Sequence, residues 1–311
     1  MIALSLVGCA PAGVASPSPT GAGIVAEVAS YQLVAGRPGR LLIAILTGDG
    51  RWLSFGSVQV QFRYLGDGSG NPPAGPMPTA APMAAKFLPI PGTPEASSAE
   101  PILTLPADGR GVFAVEPITF PVVGFWEATT RGRLDGVDFE AAAAFNVLDH
   151  SGIVAVGDRA PHTDNPVIGS VGIPSFALDS RAAGDTPIPD EVLHATSIAG
   201  ALDRGHPAIV VFSTPVYCVS RFCGPVTDLV ADLAAKYGDR ADFIHVEIYR
   251  DFQAGLVSQA ALDWLQPDTG DLREPWTFLV GADGIVAGSW DTVVTRSELE
   301  PLLDALPPKR P

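Results

Sequence analysis

The sequence is short of basic residues and of long apolar runs. It has 19 lysines and arginines against 34 acidic residues, a formal net charge of −15, and this charge would repel phosphate backbones and anionic headgroups. We therefore expect no nucleic-acid partner. Because no stretch reaches the roughly 18 uncharged apolar residues of a membrane span, any membrane attachment would be through a lipid at one end.

The sequence also lacks several motifs that carry chemistry. It has no phosphate-binding loop, no metal-ligand cluster of convincing spacing and no serine nucleophile elbow, so we expect no cofactor. Only three cysteines are present, Cys9, Cys218 and Cys223. With Cys9 set aside, one pair remains, which suits an oxidising extracytoplasmic compartment.

The chain has enough apolar material for two cores. Its 311 residues are 47% hydrophobic, and a domain takes roughly 150 residues. The 33 glycines and 30 prolines indicate many turns. We predict an N-terminal signal remnant and tether at 1–22, a first domain at 23–150 and a second at 151–311.

The N-terminus carries a short apolar stretch that ends at Cys9. The tetrapeptide LVGC at 6–9 resembles the lipobox of bacterial lipoproteins, and this resemblance implies lipidation of Cys9 and an anchored protein of the cell envelope. Eight residues precede Cys9 and none is basic, which departs from a secretory signal peptide. An incidental cysteine in an apolar N-terminus remains the alternative.

Residues 23–150 read as β-structure. The segment VQVQFRY at 58–64 alternates apolar and polar residues, the pattern of a strand with one buried face. Between 66 and 101 the chain is rich in proline and glycine, and we predict a long exposed insertion there. The segments at 111–113, 124–127 and 144–147 resemble the last strands of immunoglobulin-like domains on bacterial envelope proteins, which implies a β-sandwich.

The second half resembles the thioredoxin-like family. The hexapeptide VGDRAP at 156–161 is similar to the segment that leads into that fold. An apolar strand at 208–212 then runs through the cysteines into a helix at about 224–237, and the segment EPWTF follows at 274–278. The resemblance implies a cis-proline at Pro275 beside the cysteines. The predicted fold class is therefore α+β with two domains, an immunoglobulin-like β-sandwich followed by a thioredoxin-like α/β domain.

The cysteine pair lies at a strand-to-helix junction, where free N–H groups and the helix dipole stabilise a thiolate. Four residues separate Cys218 from Cys223, and a continuous helix would place such a pair roughly 8–9 Å apart. Cys218 must then precede the helix. The string FCGPV resembles the family's WCGPC with Val226 in place of the second cysteine, which would make Cys223 the nucleophile. Counting from Phe212 instead favours Cys218 as the more exposed attacking thiol.

These patterns predict an extracytoplasmic thiol–disulfide oxidoreductase that acts on protein thiols and disulfides through Cys218 and Cys223, with Pro275 shaping the substrate groove. Two alternatives remain. One is a non-catalytic binding lipoprotein in which the pair is a structural disulfide. The other is a copper-handling envelope protein, for which His245 would be the third ligand.

Overall fold

The computed structural model describes residues 23–69, 81–93, 98–107, 109–182, 184, 186–218, 220–266 and 272–309. Cys9 and the predicted tether at 1–22 lie outside the described residues. Within the described ranges, no helix is both long enough and apolar enough to cross a bilayer.

The chain forms fifteen strands and four α-helices over these ranges. The strands are β1 (Ile24–Val28), β2 (Gly39–Thr47), β3 (Trp52–Ser54), β4 (Ser57–Gly66), β5 (Met83–Pro89), β6 (Ile102–Thr104), β7 (Gly111–Ile118), β8 (Gly124–Leu134), β9 (Val137–Val147), β10 (Ala208–Ser213), β11 (Asp242–Glu247), β12 (Tyr249–Asp251), β13 (Leu256–Val257), β14 (Trp276–Val280) and β15 (Val286–Asp291). The helices are α1 (Ile198–Asp203), α2 (Cys223–Tyr237), α3 (Gln259–Leu265) and α4 (Arg296–Ala305), with 3-10 helices at Ser175–Ala177 and Glu191–His194.

The first nine strands form one antiparallel sheet in the order β6-β3-β2-β7-β5-β4-β8-β9, with β1 paired to β2. The sheet curls so that β1 also lies against β9. Its concave face encloses a core that includes Phe62, Phe113 and Trp126. This core explains the period-two pattern of β4, in which Val58, Val60 and Phe62 are buried.

Strand β5 is the part of this sheet that the sequence analysis missed. It lies inside the predicted insertion at 66–101, yet it pairs with both β4 and β7. Its residues, MAAKFLP, are mostly poor strand formers that end in a proline. Because β5 joins β4 to β7, the strands that would have formed two separate sheets become one.

Strands β11, β10, β14 and β15 form a second sheet in that order. The pair β10–β11 is parallel, and the other two pairs are antiparallel. Every residue of β10 is buried. Val210 and Phe212 face a core that contains residues of α1 and α3, and Ile209 and Val211 face one that contains residues of α2 and α4. Cover on both faces explains why this strand is an unbroken apolar run.

The predicted fold class is wrong. Strands make up 38% of the structure and helices 17%, so the protein is mostly β rather than α+β. The first half is one curled sheet instead of an immunoglobulin-like sandwich, because β5 bridges β4 and β7. The second half is not a clear thioredoxin-like α/β domain. Between 151 and 197, the regular elements among the described residues are two 3-10 helices and an isolated β-bridge at Arg159. Two of the four described α-helices have only six and seven residues.

Arg40 of β2 joins the two sheets. Its guanidinium donates to Glu298 Oε1 at 2.7 Å and to the carbonyls of Asp291 and Val293 at 2.9 and 2.6 Å. It also lies 3.7 Å from the carboxylate of Asp291, and both side chains are only 9% exposed. Burial raises the pKa of Asp291, and the charge of Arg40 opposes that rise. The Arg40 guanidinium is therefore a buried cation that makes several hydrogen bonds between the two sheets.

Tyr31 makes a second connection, close to the cysteines. Its backbone N–H donates to Asp291 Oδ2 at 2.7 Å, and its hydroxyl donates to the carbonyl of Glu274 at 2.5 Å. The hydroxyl of Thr292 donates to the carbonyl of Ala29 at 2.7 Å. The loop after β1 thus holds the backbone just ahead of β14.

Replacing Arg40 by alanine should lower the free energy of unfolding by about 3 kcal/mol, because it leaves a buried carboxyl without its partner. The matched control is Arg63→Ala. Arg63 pairs with Glu127 at 2.8 Å but is 51% exposed, so its loss should change stability by less than about 1 kcal/mol. Urea unfolding of both variants measures the difference, and equal losses would contradict the role given to Arg40.

Candidate functional site

The turn between β10 and α2 positions the cysteine pair. The N–H of Cys218 donates to the carbonyl of Thr214 at 3.0 Å, and the N–H of Arg221 donates to the carbonyl of Cys218 at 3.3 Å. Arg221 takes a left-handed conformation with φ of 61°. Helix α2 then begins at Cys223. Cys218 therefore precedes the helix, as its spacing from Cys223 required, and the chain folds back so that the two cysteines meet.

Both thiols are free, and they differ in exposure. Cys218 is 9% exposed and Cys223 is fully buried. The two sulfurs and a carboxylate oxygen of Glu274 all lie within 4.8 Å of one another. The site thus has one nearly buried sulfur, one fully buried sulfur and a carboxyl group beside both.

The environment of Cys218 favours its thiolate. Its pKa falls to about 5, first because the Cys223 thiol donates a hydrogen bond to it, although burial opposes this shift. The Ser220 hydroxyl, 3.1 Å from the sulfur, and the backbone N–H groups of Cys223 and Arg221 lower it further. These donors lie at the start of α2, where helix N–H groups have no intrahelical partner.

Cys223 shows the opposite behaviour. Burial raises the pKa of its thiol well above the usual range, and the hydrogen bond to Cys218 raises it further. The two thiols therefore titrate as a coupled pair, with the lower pKa at Cys218 and the higher at Cys223. The arrangement gives a thiolate and a thiol at neutral pH rather than two equivalent groups.

Pro275 is buried, and its peptide bond with Glu274 is cis. Glu274, which precedes it, is the site residue that sequence reasoning missed. Burial raises the pKa of Glu274 to about 7, and the charges of Cys218 and Glu247 add to the rise. Adjacency to Pro275 was the one available signal, because a residue that precedes a proline predicted beside the cysteines must also lie near them.

An apolar surface adjoins Cys218 along the chain. The ring of Tyr217 stacks on Phe252 with centroids 4.0 Å apart and planes 2° apart. Phe252 is 42% exposed and Val216 is 54% exposed. The N–H of Val216 donates to Ser180 Oγ at 3.1 Å, which fixes this side of the turn. We call Val216, Tyr217 and Phe252 the apolar rim.

Phe222 anchors the other side of the turn. Its buried ring packs in a cluster with Leu42, Ile90 and Val293. Leu42 belongs to β2 of the first sheet, so the residue immediately before α2 is held between the two sheets. The start of α2 is therefore fixed by the first half of the chain.

His245, the third ligand expected for copper, does not join the cysteines. It lies in β11 opposite Val211, where it is 1% exposed, and its ring is grouped with Asp179 and His194 instead. The physical reason is its register, because residues in the middle of a buried strand face the layer that covers it rather than the turn at its end.

Comparison with models of known protein families finds no match to the chain, and a search of curated proteins finds none either. What the site does chemically must therefore be argued from its own geometry.

The hydrogen bond between the two thiols should be the main cause of the low Cys218 pKa. In the variant Cys223→Ala this pKa should rise clearly above about 5, and in Ser220→Ala it should rise by less. The pH dependence of iodoacetamide alkylation of the reduced protein, followed by mass spectrometry, measures both.

The lowered pKa of Cys218 also sets the direction in which the stability of the reduced protein changes with pH. A thiol whose folded pKa is lowered stabilises the reduced fold above its unfolded pKa, and that stability is lost as the pH falls through about 5.

For the alkylation experiment, circular dichroism would show that Cys223→Ala and Ser220→Ala remain folded. If Ser220→Ala raised the pKa of Cys218 more than Cys223→Ala did, the hydrogen bond from Cys223 would not be the main cause of the low pKa.

Proposed function

We propose that the protein is a thiol–disulfide oxidoreductase that acts on protein thiols and disulfides, with Cys218 as the attacking thiolate and Cys223 as the resolving thiol. The observation that carries the proposal is the pairing of two free thiols at the turn before α2, with their sulfurs within 4.8 Å of each other. The pKa of Cys218 is lowered to about 5, and that of Cys223 is raised. At neutral pH Cys218 is then almost entirely thiolate, the form that attacks a disulfide.

The exchange takes place in two steps. The Cys218 thiolate attacks one sulfur of a substrate disulfide, whose S–S bond breaks, and the other substrate sulfur leaves as a thiolate. Cys223 then loses its proton and attacks Cys218 Sγ in the mixed disulfide, which releases the second substrate thiolate. The substrate gains two electrons and the cysteine pair ends as a disulfide. The reverse sequence passes that disulfide to substrate thiols.

Glu274 supplies the base for the second step. A buried thiol with a raised pKa cannot attack until its proton is removed. The Glu274 carboxylate lies within 4.8 Å of the Cys223 sulfur, and its pKa of about 7 is close to neutral. A base with such a pKa can accept the proton at physiological pH and release it again. The Tyr31 hydroxyl, bonded to the carbonyl of Glu274, holds the segment in place.

The favoured direction follows from the thiolate. A dithiol whose reduced form is stabilised passes its disulfide on readily, because the low-pKa sulfur is a good leaving group. The hydrogen bonds to Cys218 stabilise the reduced form in this way. The pair then oxidises substrate thiols, and a disulfide or quinone oxidant restores it. This direction suits the extracytoplasmic compartment and the lipid-anchored location that the sequence predicts.

The apolar rim is the surface on which a substrate would dock. Val216 and Phe252 are exposed beside the 9% exposed Cys218, and apolar contacts with an unfolded or extended chain would bring its sulfur to the thiolate. The stacked pair of Tyr217 and Phe252 keeps this surface rigid.

Metal handling is the second candidate. Cys218, Cys223 and Glu274 offer three ligand atoms within 4.8 Å of one another, and thiolate sulfur suits copper(I) or zinc. Metal handling and thiol exchange exclude each other, because a bound metal blocks both sulfurs and exchange requires both to be free.

The reduction potential of the Cys218–Cys223 couple tests the proposal. Equilibration of the protein in thiol buffers, with alkylated thiols counted by mass spectrometry, should give a value between about −120 and −200 mV. Cys218→Ser and Cys223→Ser should each abolish catalytic exchange with a model disulfide protein, whereas the control Cys9→Ser should not. A reduction potential below about −300 mV would instead indicate a structural disulfide, and that result would reject the proposal.

Replacing Glu274 by glutamine should slow resolution of the mixed disulfide by about 100-fold at pH 7. The attack by Cys218 should change little. In the unmodified protein, the rate of resolution should rise with pH through about 7, and the variant should lose this inflection. Single-turnover kinetics with a trapped mixed disulfide separate the two steps. The control is Glu300→Gln, because Glu300 lies on α4 and pairs with Lys236 of α2.

The same substitution has a stability readout of known sign. A carboxyl whose folded pKa is raised holds its proton in the folded state, so the reduced protein loses stability as the pH rises from about 4.5 to about 7. Glu274→Gln should remove that loss and unfold at a higher temperature than the unmodified protein at pH 8. An unchanged pH profile in both measurements would exclude Glu274 as the base.

A further inference from the structure

A second cluster of titratable side chains lies away from the thiols. Asp179 follows the first 3-10 helix, His194 ends the second, and His245 is in β11. Asp179 is fully buried, and the two histidines are each 1% exposed. One ligand atom from each lies within 4.8 Å of the others. The proposed exchange reaction uses none of the three.

The distances inside this cluster fit an ion better than direct hydrogen bonds. His194 Nε2 and His245 Nδ1 each lie 3.5 Å from Asp179 Oδ2, yet neither nitrogen has a hydrogen-bond partner. Zinc binds nitrogen and oxygen at roughly 2.0–2.1 Å, so two ligand atoms of a tetrahedral site are about 3.4 Å apart. The two measured separations match that edge.

The tautomer of His245 supports the same conclusion. Its Nε2 lies 3.2 Å from the carbonyl of Ser213, and a carbonyl can only accept, so Nε2 carries the hydrogen. In the neutral ring Nδ1 then presents a lone pair to the carboxylate of Asp179. Two such lone pairs can be joined by a proton or by a metal ion, and the 3.5 Å between Nδ1 and Oδ2 is long for a hydrogen bond. A ring N–H bonded to a backbone carbonyl is also the usual support of a metal-binding histidine.

His194 gives an independent indication. Neither of its ring nitrogens has a hydrogen-bond partner, although the ring is buried. A buried polar group without a hydrogen-bond partner destabilises the fold.

The charges around the cluster favour a cation. Arg181 donates to both oxygens of Asp179 and pairs with Asp190 and Asp228 at 2.9 and 3.0 Å. One guanidinium thus serves three carboxylates. Asp179 can use one lone pair of Oδ2 for Arg181 and direct another toward an ion, so the arginine orients the carboxylate rather than replacing the ion.

From this geometry we propose that Asp179, His194 and His245 form a binding site for a divalent transition-metal ion, with zinc as the ion to test first. The three side chains occupy three positions of a tetrahedral site, and water takes the fourth. Because the ligands are buried, the ion holds structure together.

The site would hold the segment beneath the cysteine turn. Ser180, next to Asp179, accepts a hydrogen bond from the N–H of Val216 in the apolar rim, and its own N–H donates to Glu247 at 2.8 Å. An ion bound by Asp179 and His194 would tie residues of the irregular segment 151–197 to β11, since His245 belongs to that strand.

The zinc content of a variant that lacks Cys218 and Cys223 tests the proposal. The parent protein is the full chain with Cys218→Ser and Cys223→Ser, which removes the two sulfur ligands of the other candidate metal site. After incubation with Zn²⁺ and gel filtration, elemental analysis should find about one zinc per chain. His194→Gln in this background should hold less than about 0.1. The control His162→Gln removes an exposed histidine that pairs with Asp203, and it should keep the metal.

A second measurement covers the case in which His194→Gln does not fold. Cobalt(II) added to the parent protein should give the visible bands of tetrahedral nitrogen and oxygen coordination, without a sulfur-to-cobalt band. Zinc should raise the unfolding temperature of the parent, and a chelator should reverse the rise. A parent protein that binds neither ion, or a folded His194→Gln variant that keeps its zinc, would overturn the proposal.

Discussion

The burial of β10 on both faces is the constraint on which the second half of the structure depends. An apolar strand with no wet face needs cover from both sides, and helices on each side provide it. The chain must therefore leave the strand at Ser213 and turn sharply into α2. That turn carries Cys218, and the first residue of α2 is Cys223. The position of the thiols is thus a consequence of packing.

The two halves of the protein meet around the same turn. Phe222 is held among residues of the first sheet, and Tyr31 bonds to the backbone of Glu274. Arg40 adds a buried cation to this contact. The first sheet therefore fixes the groups on either side of the thiols.

The sequence predicted the elements nearest the thiols well, because each has a strong local signal. The apolar run of β10 and the spacing of the cysteines both depend on neighbouring residues. The fold class was wrong because it depends on β5, whose alanines and lysine give a weak strand signal. The cluster of Asp179, His194 and His245 has no sequence signal, since only the three-dimensional fold brings these distant residues together.

The full burial of Cys223 has a consequence for oxidative damage. An oxidant that enters from solvent meets only the Cys218 thiolate and converts it to a sulfenic acid. The Cys223 sulfur lies within 4.8 Å, close enough to condense with that acid, expel water and form a disulfide. The same arrangement keeps the Cys218 sulfur in the reversible part of the oxidation series, because the Cys223 thiol that can reduce its sulfenic acid lies next to it.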